Sequence, residues 1–211
     1  MTVNSIPRQP TDRLAGAMLA AACVLSVVVM AHHPTSAGSA SLANHVHGAL
    51  MIALLIAFAG FSRFSARLGL RRFPVLAGLV FYGSASVGNL LAATVNGFAV
   101  PALAAREPAI SQDVLRFAWE LNQALAYAAV YATSLAYVLW GAELFARKQR
   151  LAGIVGLAAG AVPAALLAAG ALDMHVAGAF VVYAAQAAFG IVIGLLMVVS
   201  AGLDQQPSAH H

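Results

Sequence analysis

Charge is what this sequence has least of. Only 9% of its 211 residues are Asp, Glu, Lys or Arg, against about 25% in a soluble globular domain, and a water-soluble fold is excluded on that ground. Carboxylates are scarcer than cations, seven Asp and Glu against eleven Lys and Arg, for a formal charge of +4. The cations fall in short clusters between apolar runs and form no face broad enough to track phosphates, which excludes a nucleic-acid partner. There is one cysteine, Cys23, inside an apolar run. A disulfide framework and a thiolate metal site are therefore excluded, and Cys23 reads as a small buried hydrophobe. The chain has no Walker loop, no G-x-S-x-G elbow, no H-E-x-x-H and no H-x-x-x-H pair, so the chemistries tied to those arrangements have no foothold. It also lacks the internal repeats or inverted symmetry of a transporter.

What it has is apolar length. Hydrophobic residues make up 62% of the chain, mean hydropathy is +0.85, and runs of membrane-crossing length recur throughout. The expected fold class is all-α, a bundle of six transmembrane helices over 12–203 between polar tails at 1–11 and 204–211. The spans are expected at about 12–31, 44–61, 74–100, 114–145, 151–172 and 175–203. Asp12 favours the first helix N-terminus, Pro74 fits the first turn of the third, and Asp113 is the expected N-cap of the fourth. Asn96-Gly97 with Pro101 beyond reads as a helix stop. A cleaved signal peptide is a rival for the first span, with Ser36-Ala37-Gly38-Ser39-Ala40 as its small-residue region. The apolar stretch 14–30 is long for that role and leads into a multi-span protein. Gly156-x-x-x-Gly160 and Gly190-x-x-x-Gly194 predict close helix packing. Trp119 and Trp140, near opposite ends of the fourth span, occupy aromatic-belt positions.

Six spans return both termini to one side. Arg8, Arg13, Arg63, Arg67, Arg71, Arg72, Arg147, Lys148 and Arg150 fall on that side, and only Arg106 and Arg116 on the other. The positive-inside rule makes the termini cytoplasmic, in a bacterial inner membrane. Every histidine outside the C-terminal pair then faces the periplasm.

Those histidines are the first candidate site. His32 and His33 end span one, His45 and His47 open span two, and His175 follows Asp173 before span six. Neutral imidazole is the commonest transition-metal ligand, and a carboxylate can ligate or orient it. His32, His33, His45, His47, Asp173 and His175 are thus candidate ligands for a divalent metal or copper. Haem held by two histidines ranks lower, lacking a motif. The spacing does not enforce a site, because helix positions one or two apart diverge. The competing expectation is histidines that bond loop carbonyls at helix ends.

Span four supplies the second candidate. Arg116 and Glu120 are spaced for an i,i+4 pair, and Glu120, Gln123, Tyr127, Tyr131, Ser134 and Tyr137 form a polar stripe. Tyr82, Ser86, Asn89 and Asn96 on span three, and His175, Tyr183 and Gln186 on span six, could face it. Ionisable groups inside spans usually point into the bundle. The expectation is a cavity lined by Asn89, Asn96, Glu120, Gln123, Tyr127, Tyr183 and Gln186, with Glu120 as its acid or base. Against it stands polar glue between helices, worth about 0.6 kcal/mol per bond, with Arg116 and Glu120 at headgroup depth. An ion pathway is a further alternative.

His33-Pro34 closing span one, the histidine opening span two, and N-G-F-A-V-P-A-L-A over Asn96 to Ala104 closing span three resemble a loose group of uncharacterised bacterial six-span inner-membrane proteins. Members often carry Asp-Gly where this chain has Asn96-Gly97, so their carboxylate has no counterpart here. The resemblance implies architecture and compartment, and no activity. Three functional expectations follow: a membrane protein with a periplasm-facing metal or small-ligand site; a membrane-embedded enzyme using a His-bound metal on a lipid or quinone-like substrate; or an accessory subunit without a site. In the last case the glycine faces would bind a membrane-protein partner or another copy.

Overall fold

A computed structural model describes residues 10–33, 40–106 and 110–203. Residues 36–39 of the candidate cleavage region, the tail 204–211 and most of the tail 1–11 lie outside the described residues. The described chain is all-helical, without a strand, and has six stretches long and apolar enough to cross a membrane.

Helix α1 is Pro10–Ala31, with proline where the missing N–H costs nothing. Helix α2, Ala40–Leu68, runs past the expected boundary at 61. Phe61, Phe64, Ser65 and Leu68 continue its buried face at helical spacing, while Arg63 and Arg67 find a carboxylate on α1. It stops at Gly69, whose φ of 98° turns the chain.

Helix α3, Phe73–Thr94, begins with Pro74 in its first turn. It passes into a π-helical turn, Val95–Ala99, and then α4, Val100–Ala104, so one span covers Phe73–Ala104. The stop expected at Asn96-Gly97 is therefore a widening instead. The Val100 N–H bonds the Val95 carbonyl, and the widened turn accommodates Pro101, which has no N–H to give.

Helix α5, Gln112–Ala146, is capped by Ser111, whose hydroxyl accepts from the Asp113 N–H at 3.2 Å. Asp113 thus sits inside the first turn rather than at the cap. Helix α6 is Arg150–Ala168 and α7 is Val176–Leu203.

Small residues set the close contacts. A Cβ at Gly194 would lie 2.6 Å from the Gly16 carbonyl oxygen, joining α7 to α1. One at Gly160 would lie 2.5 Å from the Ser134 carbonyl oxygen, joining α6 to α5. Trp140 is not a belt residue: it is fully buried, stacks on Phe61 with ring centroids 5.1 Å apart, and donates from Nε1 to the Val75 carbonyl at 3.2 Å. Gly78 makes room for its indole. With Phe61, Phe64, Tyr82, Tyr137 and Phe189 it forms an aromatic core across the bundle.

The two ends differ. The start of α1 and the ends of α2 and α7 meet through Asp12, which pairs with Arg63 and Arg67, and through Arg67 Nη2, which donates to Ser200 Oγ at 3.0 Å. The start of α3 meets the end of α5 where Arg72 and Arg147 each reach Glu143 at 2.6 Å. We call this the basic end and its opposite the imidazole end.

Candidate functional site

The bundle encloses a cavity of about 250 Å³, room for roughly eight waters at liquid density. Its walls come from α1, α2, α3 with the π turn, α5 and α7; α6 contributes nothing. Tyr82, Tyr137 and Cys23 lie at its depth, against the aromatic core. At the imidazole end stand His33, His47, Asn96, Trp119 and His175, and His175 is 62% exposed, so the cavity reaches the surface there. We refer to it as the vestibule.

Its polar groups are ordered from mouth to floor. Near the mouth, His47 is buried on α2, and its Nδ1–H donates to the Ala43 carbonyl at 2.8 Å. Its Nε2 lies 3.4 Å from Nε2 of His33 and 3.4 Å from the Asn96 amide nitrogen. The π turn brings Asn96 here, and Gly97 packs so closely on His47 that a Cβ would strike the histidine Cβ and Cγ. Such turns frequently occur at functional positions. Lower down, Tyr183 Oη donates to Asn89 Oδ1 at 2.8 Å. Gln186 is buried and donates from Nε2 to the Val130 carbonyl and Ser134 Oγ, each at 3.3 Å. Among the described residues, no Asp, Glu, Lys or Arg lines the vestibule.

The structure sorts the proposed metal ligands into three groups. His33 and His47 meet in the vestibule. His32 and His45 line a separate shallow groove with Val28, Val29, Val46 and Ala49, and His32 Nδ1 bonds the Val28 carbonyl at 2.8 Å. Asp173 and His175 pair with each other at 3.0 Å on the exposed rim, where the His175 ring also meets Trp119 at 5.3 Å between centroids. Among the described residues no three His, Cys, Asp or Glu gather so as to hold a metal, so the six do not form one centre. The cause is helical: His45 and His47, two positions apart, leave α2 in opposite directions.

Of the proposed cavity residues, Asn89, Asn96, Gln123, Tyr183 and Gln186 line the vestibule, and Glu120 and Tyr127 do not. Glu120 is exposed, which removes it as acid or base for this cavity, and it makes no ion pair with Arg116. On α5 the wall is Trp119, Asn122, Gln123, Ala126, Thr133 and Tyr137. Glu120 lies one position, about 100°, away from Trp119. Tyr127 packs instead against the smaller apolar cluster around Val130, Met174 and Val182. Sequence reasoning missed Asn122, which is buried; its position three after Trp119 and four before Ala126 was the available signal.

In comparisons with known proteins, the chain matches no family, no curated protein and no solved structure.

Proposed function

We propose that this is a multi-pass inner-membrane protein of a bacterium, both termini cytoplasmic, that receives a small ligand into a vestibule facing the periplasm. The supporting observation is the vestibule itself: an internal space with amides and imidazoles at one end, apolar walls from Met30, Leu50, Leu54 and Ala57, and an exposed rim at His175. Binding sites of small molecules have this character, mostly apolar with a few placed polar groups. The volume suits a compact molecule of about one ring, with its polar part toward His47 and Asn96. Sidedness rests on charge: nine Lys and Arg at the basic side against Arg106 and Arg116 opposite.

The walls hold no carboxylate among the described residues and Glu120 is outside them, so the acid or base role expected of Glu120 has no support in this lining. An accessory subunit held by glycine faces gains less support, since those faces are already used within the chain, Gly194 on Gly16 and Gly160 on α5.

Substituted-cysteine labelling tests the proposal in a Cys23→Ser background. A membrane-impermeant thiol reagent added outside intact cells is expected to modify Ala126→Cys and Gln123→Cys, and to leave the lipid-facing Ala128→Cys and the basic-end Arg71→Cys unmodified. Labelling of Arg71→Cys from outside, with Ala126→Cys silent, would invert the topology and overturn the proposal. Small molecules released from purified protein should include a species lost when Ala126→Trp fills the vestibule. An identical set from both proteins would remove the ligand.

A further inference from the structure

We infer that His33, His47 and Asn96 form the seat of a divalent transition metal of the zinc–copper class at the mouth of the vestibule. The inference rests on the proposed function only in needing the mouth to be open to solvent, and it requires no organic ligand beneath.

The distance between the two imidazoles is the first argument. At 3.4 Å their Nε2 atoms are too far apart for a good hydrogen bond. Two nitrogens each about 2.0–2.1 Å from a tetrahedral ion stand about 3.3 Å apart. The rings meet edge-on, with centroids 5.0 Å apart and planes at 78°, and their two Nε2 atoms come to 3.4 Å in that contact.

The protonation pattern is the second. Because His47 Nδ1–H is given to the Ala43 carbonyl, the neutral ring carries its lone pair on Nε2, toward His33 and Asn96. A ligating histidine is held in the same way, with its other nitrogen bonded to a carbonyl or carboxylate.

The third donor comes from the π turn. The Asn96 amide nitrogen lies 3.4 Å from the same Nε2, long for a bond it would donate. Half a turn about the last side-chain torsion exchanges nitrogen for oxygen at that place and presents Oδ1 as a ligand. Gly97 then has a purpose beyond packing, since its missing Cβ lets the turn close on His47. Two imidazoles and one amide oxygen leave a coordination position open to the vestibule, the arrangement of an open rather than a structural site. Imidazole donors select zinc, copper and nickel, with copper(II) bound most tightly. With no carboxylate in the walls, the ion keeps its full charge and favours an anionic or lone-pair group of whatever occupies the space below.

The test is copper(II) titration of the detergent-purified full chain, with His210 and His211 changed to Ala so that the terminal pair does not compete. Electron paramagnetic resonance should show one copper per chain with hyperfine splitting from two imidazole nitrogens. His33→Ala and His47→Ala should each weaken binding by more than about tenfold, while His32→Ala and His45→Ala leave it unchanged. Asn96→Asp places an anionic oxygen in the third position and should tighten binding, a gain that a misfolded protein cannot imitate. No stoichiometric copper in the parent, binding indifferent to His33 and His47, or no tightening by Asn96→Asp would overturn the inference. Labelling of Ala126→Cys from outside is read separately, so that loss of the metal seat and loss of the open vestibule are told apart.

Discussion

The two ends of the bundle solve the problem of polar groups in a membrane protein in opposite ways. At the basic end two buried carboxylates are fully committed. Asp12 is 2% exposed and clasped by Arg63 and Arg67, and Glu143 is 8% exposed and clasped by Arg72 and Arg147. Each clasp ties the ends of two helices together, α1 to α2 and α3 to α5. At the imidazole end the polar groups inside are amides, hydroxyls and imidazoles, their mutual distances of 3.4 Å at His47 are loose, and space lies among them. Ion pairs close a helix bundle because a buried charge without its partner is very costly. Neutral donors and acceptors can exchange one partner for another at little cost, as a binding site requires.

The largest expected effect comes from breaking the closed end. Arg63→Ala with Arg67→Ala leaves Asp12 buried without a cation, and should destabilise the protein by about 3–5 kcal/mol. The matching double substitution His33→Ala with His47→Ala should cost about 1 kcal/mol while abolishing copper binding. Thermal unfolding of both variants in one detergent checks the contrast. Equal losses would mean that the imidazole end is a structural latch too.

Much of this architecture was legible in the residues. The spans follow from apolar runs, and the glycine spacings in α6 and α7 became the contacts they suggested. Less legible was anything set by a partner far along the chain. The extension of α2 past Phe61 depends on Asp12, 51 residues before Arg63, and a run containing arginines reads as a loop until that carboxylate is known. Trp140 read as a belt residue because nothing local reveals the gap at Gly78, 62 positions earlier. At the site, Asn89, Gln123 and Gln186 could be placed because a regular helix fixes their direction. Which histidines would meet was not legible, because His33 stands just beyond α1, where helical geometry no longer sets direction. The π turn that swings Asn96 toward His47 has no sequence signature beyond Gly97 and Pro101, and those pointed equally well to a helix end.

Intermediate effects separate packing from function. Gly78→Ala would press a Cβ to 2.5 Å from Trp140 Nε1, and Gly97→Ala would press one into His47. Each overpacks its site and should cost about 1–3 kcal/mol. Only Gly97→Ala should also weaken copper binding, so unfolding and titration of the same two proteins divide the core from the mouth. Tyr183→Phe removes the 2.8 Å bond to Asn89 and should cost about 0.6 kcal/mol. Because both groups line the vestibule, it should also change which small molecule is retained, read by mass spectrometry of the released ligand.

The smallest expected effect concerns the carboxylate that looks most functional in sequence. Glu120 is exposed, unpaired with Arg116 and turned away from the wall that Trp119 and Gln123 build. Glu120→Gln should therefore shift stability by no more than about 0.5 kcal/mol and leave copper binding and Ala126→Cys labelling as they were. The variant is informative because it removes a charge from the imidazole end without touching its interior. If the vestibule works without a carboxylate in its walls, the charge is dispensable. A clear loss of ligand or copper in Glu120→Gln would show that a carboxylate reaches the vestibule after all, and the contrast between an end closed by ion pairs and an open one with no carboxylate inside would fail.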